Sequence, residues 1–307
     1  MNDFLRGKRE KEPRLAELVR GREPILAPGA YDALSARMIE QAGFPAVYMT
    51  GFGTSASLLG RPDVGLLTMS QMVDNARRIA QAVGVPVIAD ADTGYGNPLN
   101  VIRTVQEYEL AGVSAIHIED QVTPKKCGHM ENKQVIPAAE MAEKIRAAVE
   151  ARRSSDFLII ARTDARAGEG LENALRRARA YQEAGADILF IEAPQSKEEV
   201  AQIARAFPNV PLLFNWAEGG KTPPITLSRL KELGYRIVIF PISTLLAAAK
   251  AMRAALAEIK AQGTPAQMFP DRTAFQEFNE MIGLREIQEL EKRFAAKTGH
   301  YAGKMDD

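Results

Sequence analysis

The 307-residue sequence is 46% hydrophobic and carries 39 basic and 39 acidic side chains, so no excess charge favours nucleic acid or a membrane surface as a partner. Its single cysteine excludes an internal disulfide framework and a metal site built from several thiolates. The N-terminal residues lack the apolar core of a signal peptide and no apolar run approaches about 18 residues, so we expect a cytoplasmic protein.

A unit of helix, glycine and buried strand recurs along the chain. A short amphipathic helix at residues 13–20 comes first. Each of the four units that follow has a glycine where the end of a helix needs a positive φ: Gly43, Gly112, Gly185 and Gly234. Four more apolar runs lie between these units, at residues 25–28, 85–91, 157–161 and 210–214. The alternation predicts a parallel sheet covered by helices.

The number and spacing of these strands favour a (β/α)8 barrel, because eight units of roughly thirty residues give a barrel of typical size. A doubly wound open sheet is the alternative, but no GxGxxG turn follows the first strand. Two helices, at residues 244–262 and 274–296, follow the last strand. We therefore expect one α/β domain over residues 1–307, a TIM barrel with an N-terminal helix and a C-terminal helical extension from about residue 264.

Polar side chains stand where the predicted strands end. In a barrel of this type, catalytic groups come from the carboxyl ends of several strands. Here those ends carry Tyr48, Asp90, Asp92, His117, Glu119, Arg162, Glu192, Asn215 and residues 241–243. A helix cap or a loop hydrogen bond explains any one of these residues as well as function does. Together they indicate an active site at the mouth of the barrel.

The connection after the fourth strand is unusually long. About sixteen residues separate Glu119 from the next helix, which is predicted to open at Pro137, and so long a loop favours an active-site lid. The loop contains the sequence KKCGH at residues 125–129. Its lysines and His129 are expected to lower the pKa of the Cys127 thiol, although a lone cysteine is more often an inert core residue.

Carboxylates at neighbouring strand ends predict a metal site. Asp90 and Asp92 lie two residues apart and project to the same side, and Glu119 adds a third acid through a water. Such oxygen ligands suit Mg²⁺. Capping and turn formation are the alternative for the two aspartates. Three acids converging on one mouth repel each other without a cation, which favours the metal.

The remaining polar residues suit an anionic substrate. Arg162 is expected to bind a carboxylate with two hydrogen bonds, or else to form a salt bridge with Glu192 or Asp164. Asn215 either donates to a second carboxylate or holds its own loop. Residues 218–223 form either a mobile substrate loop or a simple turn.

Several motifs resemble the isocitrate lyase/phosphoenolpyruvate mutase superfamily over about residues 20–295. They are HIED at 117–120, KKCGH at 125–129, DAD at 90–92, ARTD at 161–164 and EA at 192–193. The resemblance implies a (β/α)8 barrel whose C-terminal helix, here residues 274–296, is swapped between the subunits of a homotetramer. The phosphonate mutase branch lacks KKCGH, which weighs against phosphorus chemistry.

The resemblance also implies roles for individual residues. Asp90, Asp92 and Glu119, with Asp63 nearby, would surround Mg²⁺, with Mn²⁺ as the alternative metal. The residues that would line the substrate are Thr50, Gly51, Phe52, Cys127, Gly128, Arg162, Glu192 and Asn215. Cys127 would be the acid of the carbon–carbon lyases. His129 would help to offset the negative charge of the product, and Tyr48 is a candidate base.

The implied activity is retro-aldol cleavage of a 2-hydroxy dicarboxylate, similar to 2,3-dimethylmalate, to pyruvate plus a short carboxylate such as propionate. Leu246 stands where 2-methylisocitrate lyases carry an arginine for a third carboxylate, although Arg272 offers a replacement cation. The alternatives are 2-methylisocitrate cleavage to pyruvate and succinate, an oxaloacetate hydrolase or decarboxylase, a carboxyphosphonate phosphorylmutase, and a non-catalytic ligand-binding barrel.

Overall fold

The computed structural model describes residue 11 and residues 13–128, 133–269 and 273–295. Eight parallel strands follow one another around a closed barrel, and the last strand pairs with the first. The strands are β1 (Ile25–Ala30), β2 (Val47–Met49), β3 (Val87–Asp90), β4 (Ala115–Glu119), β5 (Leu158–Thr163), β6 (Ile188–Ile191), β7 (Leu212–Asn215) and β8 (Tyr235–Phe240). The predicted (β/α)8 barrel is confirmed.

The barrel lies in a compact unit that spans Glu10–Ala248, and Ala249–Asp307 belongs to a second unit. The helices of the first unit are α1 (Leu15–Arg20), α2 (Ala33–Gln41), α3 (Gly51–Leu59), α4 (Met69–Ala82), α5 (Pro98–Ala111), α6 (Ala138–Ala151), α7 (Arg166–Glu169), α8 (Leu171–Glu183), α9 (Lys197–Ala206) and α10 (Leu227–Leu233). Helix α11 (Ser243–Gln262) begins in this unit and continues beyond it. Among the described residues, no helix has the length and apolar character needed to cross a membrane.

The strands separate two layers of core. Side chains alternate across a strand, so successive residues enter different layers. On β4, Ile116 and Ile118 pack between the barrel and its helices, whereas Ala115 packs inside the barrel with residues such as Ile160 and Ile237. All five residues of β4 are buried. The inward face of β4 also carries His117 and Glu119, so polar groups at the top of the barrel sit above an apolar floor.

The register of the sheet decides which polar residues become neighbours. Asp90 on β3 pairs with His117 on β4, and Glu119 on β4 pairs with Arg162 on β5. Strand β5 runs to Thr163, so Arg162 lies within the strand and not beyond its end. An acid therefore stands beside a histidine, and another stands beside an arginine, at the same edge of the barrel.

The four glycines of the repeating unit adopt the backbone conformation that their positions predict. Their φ angles are 83° for Gly43, 90° for Gly112, 100° for Gly185 and 87° for Gly234. At Gly112 this conformation lets the backbone N–H donate to the carbonyl of Glu109 at the end of α5. Each glycine thus ends a helix and turns the chain toward the next strand.

The second unit departs from the sequence prediction of one helix at residues 274–296. The structure has two helices there, α12 (Ala274–Met281) and α13 (Leu284–Phe294). Gly283 between them has a φ of 96°, which interrupts the helical hydrogen bonding. Several apolar side chains of this unit are exposed, including Phe275 and Phe294. The predicted start of a C-terminal extension near residue 264 stays a prediction.

Candidate active site

A cavity of about 260 Å³ opens at the carboxyl ends of the strands. Most predicted site residues line it: Tyr48, Thr50, Phe52, Asp63, Asp90, Cys127, Gly128, Arg162, Glu192 and Asn215. Residues 217–220, Lys125, Pro241 and Ile242 complete the wall. Gly51, Asp92 and Glu119 are buried beside the cavity but are not part of its wall. His129 and Arg272 fall outside the described residues.

The residues after β2 pack closely on Asp90. The backbone N–H of Gly51 donates to Asp90 Oδ2 at 3.2 Å. A Cβ atom at Gly51 would lie 2.4 Å from the same oxygen, so only glycine allows this approach. The second carboxylate oxygen, Asp90 Oδ1, accepts from the backbone N–H of Asp92 at 2.9 Å. These two bonds orient the Asp90 side chain at the cavity wall.

Tyr48 and His117 form a hydrogen-bonded pair beside Asp90. Tyr48 Oη lies 2.8 Å from His117 Nε2, which is also 3.6 Å from Asp90 Oδ1. Burial lowers the pKa of His117 to about 4, although the charge of Asp90 opposes the shift. Burial likewise raises the pKa of Tyr48 well above its ordinary value. Both groups are therefore neutral near pH 7, and Tyr48 keeps its proton.

Lys125 bridges two acids across the cavity. Its Nζ lies 2.7 Å from Asp63 Oδ2 and 2.7 Å from Asp92 Oδ1. Lys125 was expected to lower the pKa of the Cys127 thiol, but in the structure its charge offsets these two carboxylates. Burial still raises the pKa of Asp92 to about 6, against the opposing effect of Lys125. Asp92 also adopts a φ of 48°, an uncommon conformation for a residue other than glycine.

The acids of the cavity suit a metal site that water and substrate complete, rather than one in which protein side chains supply every ligand. Among the residues that the structure describes, no three His, Cys, Asp or Glu side chains are grouped so that they would hold a metal ion. Mg²⁺ does not need such a group, because it usually takes one or two carboxylates and completes its shell with water and substrate oxygens. Asp90 faces the cavity, and Asp92 is buried beside it with its Oδ1 atom 2.7 Å from Lys125 Nζ. Both aspartates are therefore suited to such a site.

The charge balance of the mouth supports the same conclusion. The carboxyl groups in and around the cavity are Asp63, Asp90, Asp92, Glu119, Asp164, Glu192 and Glu218, and the cations seen to contact them are Lys125, Lys133 and Arg162. Burial raises the pKa of Glu119 well above its ordinary value. Even with Glu119 neutral, the acids outnumber the cations. An anionic substrate would therefore be repelled unless a further cation entered with it.

Arg162 is held by three acids at once. Its Nε and Nη2 atoms form two hydrogen bonds with Asp164, of 3.0 and 3.1 Å. Nε also lies 3.2 Å from Glu119 Oε2, and Nη2 lies 3.5 Å from Glu192 Oε2. The guanidinium carbon is 5.0 Å from the centre of the Phe190 ring. The salt bridge that sequence reasoning gave as the alternative is thus present, and it fixes the guanidinium at the cavity wall.

Glu119 is part of this arginine cluster. Besides its contact with Arg162, the side chain accepts a hydrogen bond of 2.9 Å from Gln121 Nε2. The predicted role of Glu119 at a metal stays a prediction, since its oxygens already have these partners in the chain. Gln121, which sequence reasoning missed, also binds the backbone of Lys126 through its amide group. It therefore connects the end of β4 to the segment that carries Cys127.

Cys127 and Gly128 form another part of the cavity wall, and Gly128 packs directly on the arginine cluster. The backbone N–H of Cys127 donates to the carbonyl of Asp63 at 3.1 Å. A Cβ atom at Gly128 would lie 2.3 Å from Arg162 Nη2 and 2.8 Å from the Glu192 carboxyl carbon. Only a glycine can approach the cluster so closely. The partly exposed Cys127 thus lines the same cavity as Arg162 and directly precedes the glycine that packs on it.

The far wall comes from the loop after β7 and the residues before α11. Asn215 donates from Nδ2 to both carboxylate oxygens of Glu192, at 3.3 and 3.2 Å. Glu218 contributes a buried Oε2 atom without a hydrogen bond, while Ser243 Oγ donates to its Oε1 atom. From the sequence, residues 218–223 were expected to form either a mobile substrate loop or a simple turn. Leu246, on α11, is 46% exposed and does not line the cavity of this chain.

Comparison with known proteins gives a consistent set of relatives. Residues 15–260 match the protein-family model described as phosphoenolpyruvate phosphomutase. The chain is 50% identical over 282 residues to 2,3-dimethylmalate lyase of Eubacterium barkeri, covering 92% of this chain and 97% of that protein. It is 46% identical over 284 residues to 2-methylisocitrate lyase of Aeropyrum pernix, covering 92% and 91%. A crystal structure of 2,3-dimethylmalate lyase matches with a TM-score of 0.88 and 41% identity, covering 95% of this chain and 97% of that one.

The buried neutral histidine predicts acid-sensitive stability. An unfolded histidine titrates near pH 6.5, whereas His117 titrates near 4, so the unfolded chain binds the extra proton between these values. Titration of His117 should therefore leave the free energy of unfolding unchanged above pH 6.5. As the pH falls toward 4, it should lower that free energy by at most about 1.4 kcal/mol per pH unit. Denaturant unfolding of wild type and His117→Gln across this range should show the shallower pH dependence in the variant. Parallel curves would show that His117 does not titrate in this way.

Proposed function

The chain belongs to the phosphoenolpyruvate mutase/isocitrate lyase superfamily, and from this premise we propose that it is a Mg²⁺-dependent carbon–carbon lyase. Its substrate is a 2-hydroxy dicarboxylate similar to 2,3-dimethylmalate, which it cleaves to pyruvate and a short carboxylate such as propionate. One observation carries this proposal. The Cys127–Gly128 segment, Arg162 and Asp90 come from distant parts of the chain and line one cavity of suitable size for a small diacid.

The cleavage has a simple electron balance. The bond between C2 and C3 of the hydroxy acid breaks, the 2-hydroxyl group loses its proton, and C2 becomes the carbonyl of pyruvate. The electron pair of the broken bond stays on the other fragment as an enediolate, which then takes one proton at carbon. The protein must therefore hold two carboxylates, offset negative charge and deliver one proton.

Asp90 and Asp92 are the residues that would hold the metal, with Asp63 and Glu119 nearby. The surplus of acids over cations at the mouth supports this assignment. When bound, Mg²⁺ or Mn²⁺ supplies Lewis-acid stabilisation to oxygens of the keto-acid half. The ammonium of Lys125 contacts both Asp63 and Asp92 and keeps these two carboxylates together.

Arg162 binds and orients a substrate carboxylate. Its guanidinium lies on the cavity wall, and its contacts with Asp164, Glu119 and Glu192 keep it in one orientation before substrate arrives. Such preorganisation avoids the cost of ordering a long side chain during binding. Asn215 lines the same cavity and would contact the other end of the substrate, while its Nδ2 atom donates to Glu192.

Cys127 delivers the proton to the carbanion carbon. Its thiol is partly exposed on the cavity wall, and thiols are suitable acids near neutral pH. The group that takes the hydroxyl proton is less well defined. Tyr48 lies on the wall and stays the candidate, but burial raises its pKa, so the phenol in the free chain is a hydrogen-bond donor and not a base.

The charges of the described wall favour a dicarboxylate over a tricarboxylate. Lys125 and Arg162 are its cations, and both already contact acids. A third carboxylate would have no cation of its own, and an unpaired buried charge costs about 3–5 kcal/mol. The wall also has apolar residues, Phe52 and Ile242 among them, that suit a methyl substituent.

A second candidate is cleavage of 2-methylisocitrate to pyruvate and succinate. The 46% identity to a 2-methylisocitrate lyase over most of both chains favours it. This activity would need a further cation, and Arg272, which lies outside the described residues, stays a candidate for that role. The two activities share the pyruvate half and differ in the group attached to C3.

We also propose a homotetramer with swapped C-terminal helices, located in the cytoplasm. The exposed aromatic residues of the second unit support burial against another copy of the chain. Phe275 is 79% exposed and Phe294 is 63% exposed in a single chain. Clusters of exposed apolar side chains commonly mark surfaces that another protein covers.

The first test of this function is metal removal. EDTA should abolish lyase activity and Mg²⁺ or Mn²⁺ should restore it, because the acids of the mouth would otherwise repel the substrate. Asp92→Ala should lower kcat/KM by several orders of magnitude at saturating Mg²⁺, a loss of about 4 kcal/mol or more. The control is Asp74→Ala, which removes an exposed aspartate on α4. Full turnover in EDTA would remove the metal from the proposal.

The second test concerns the acid. Cys127→Ser keeps the shape of the side chain but replaces the thiol with a far weaker acid. We expect kcat to fall about 10²-fold or more, while calorimetry shows pyruvate binding at wild-type strength. Near-normal rates in the serine variant would make Cys127 a structural residue only.

The third test decides the substrate. Initial rates with purified wild type should give a kcat/KM for 2,3-dimethylmalate at least tenfold above that for 2-methylisocitrate, equivalent to about 1.4 kcal/mol of discrimination. Leu246→Arg adds a cation at the position where 2-methylisocitrate lyases carry an arginine. If that position reaches the substrate, the variant should show a smaller ratio between the two kcat/KM values. A tenfold preference of the wild type for the tricarboxylate would select the second candidate. No pyruvate from either substrate would reject both.

A further inference from the structure

Lys133 is a buried cation that the proposed chemistry does not use. Its side chain is only 1% exposed, although it follows the cavity wall closely in the sequence. The ammonium donates to two acceptors, the backbone carbonyl of Gly128 and the Oδ1 atom of Asp164, the latter at 2.5 Å. The first acceptor belongs to the segment that carries Cys127. The second belongs to the loop directly after β5.

Asp164 connects this lysine to the substrate arginine. The carboxylate of Asp164 is fully buried and accepts two hydrogen bonds from Arg162 as well as the bond from Lys133. Its backbone N–H donates to Asp120 Oδ1 at 2.9 Å, which holds it against the end of β4. Burial would raise the pKa of Asp164, but Arg162 and Lys133 hold it below its usual range. Asp164 is therefore an anion that both cations share.

We propose that Lys133 is a positioning residue that holds the Cys127–Gly128 segment against Arg162, so that the thiol faces the substrate that Arg162 has bound. This inference rests on the proposed lyase function for its catalytic consequence, but not for its structural content. The fit of Gly128 supports it. Because a Cβ atom there would overlap Arg162 Nη2, the segment packs against the guanidinium without any gap, and Lys133 fixes the carbonyl of that same residue.

The energetics favour positioning over general stabilisation. Taking an ammonium and a carboxylate out of water is costly, so a buried ion pair adds little net stability compared with apolar residues of similar shape. Breaking one half of the pair, however, leaves the other charge unmatched in a buried place. The segment is thus held in one place, because its displacement would separate Lys133 from Asp164 or from Gly128. No other lysine among the described residues contacts Asp164.

The single cysteine of the chain makes the inference directly measurable. Iodoacetamide alkylates thiols, and Cys127 is its only thiol target here, so the alkylation rate reports the exposure of this segment without any need for activity. The test compares wild type with Lys133→Met, which keeps the length of the side chain and removes its charge. Rates are measured over a range of pH, so that the reactivity of the fully formed thiolate is compared. Loss of a nearby cation alone would slow the reaction, whereas release of the segment would accelerate it.

We expect alkylation of Lys133→Met to be at least about tenfold faster than wild type, because the segment leaves its place more often. Lyase kcat should fall at least about tenfold with KM changed less than about threefold, since Arg162 keeps its contacts with Asp164. Lys133→Arg, which keeps the charge, should recover part of both properties. Lys144→Met is the matched control. Lys144 is another buried lysine, whose Nζ donates to the carbonyl of Thr93, and its loss should leave the alkylation rate unchanged.

If Lys133→Met does not fold, alkylation of Asp164→Asn tests the same contact, because it removes the charge that Lys133 binds; kcat of this variant is not used, since Asp164 also holds Arg162. Alkylation at the wild-type rate or slower in the folded variants would overturn the inference, whatever the value of kcat. An active wild type with unchanged alkylation in the variants leaves the proposed lyase intact and rejects only the role of Lys133. If alkylation is faster in the variants but the wild type has no lyase activity, the contact is supported and the proposed function is rejected.

Discussion

Repulsion among buried carboxylates is the constraint on which the rest of this site depends. Seven acids gather at one end of the barrel, and Lys125, Lys133 and Arg162 are the lysine and arginine side chains seen to contact them in the described part of the chain. The chain tolerates this arrangement because Lys125 and Arg162 each contact more than one acid. Lys125 spans Asp63 and Asp92, and the raised pKa of Asp92 shows that the compensation is incomplete. A site with this charge is suited to an anion only when a further cation accompanies it.

The same constraint explains why Arg162 has so many partners. An arginine in a free cavity would adopt several orientations, and binding would have to select one of them. Here the acids around it hold the guanidinium before substrate arrives, and Gly128 packs on the same group. Part of the attraction for substrate is lost to these acids, but the geometry is set in advance. Preorganised charge of this kind usually contributes more to catalysis than additional contacts made on binding.

The barrel brings these groups together through its register. Asp90 stands beside His117, and Glu119 stands beside Arg162, because parallel strands place residues of equal height at the same edge. The apolar interior beneath them excludes water and lowers the pKa of His117. The strand ends are therefore both supported by packing and kept in a poorly solvated place. This combination strengthens every charge interaction at the mouth.

The sequence by itself determined the barrel, the strand ends that carry polar groups and the family, since hydrophobic periodicity, glycines at helix ends and short motifs are properties of neighbouring residues. It did not determine which charges would pair. Lys125, which was expected to lower the pKa of the Cys127 thiol, contacts Asp63 and Asp92, and Glu119, whose role at a metal stays a prediction, also contacts Arg162. The break at Gly283 was also missed, because a helical apolar pattern continues across it. Partners far apart in the chain are chosen by strand register, burial and the competition among several acids for each cation, and these exist only once the barrel has closed.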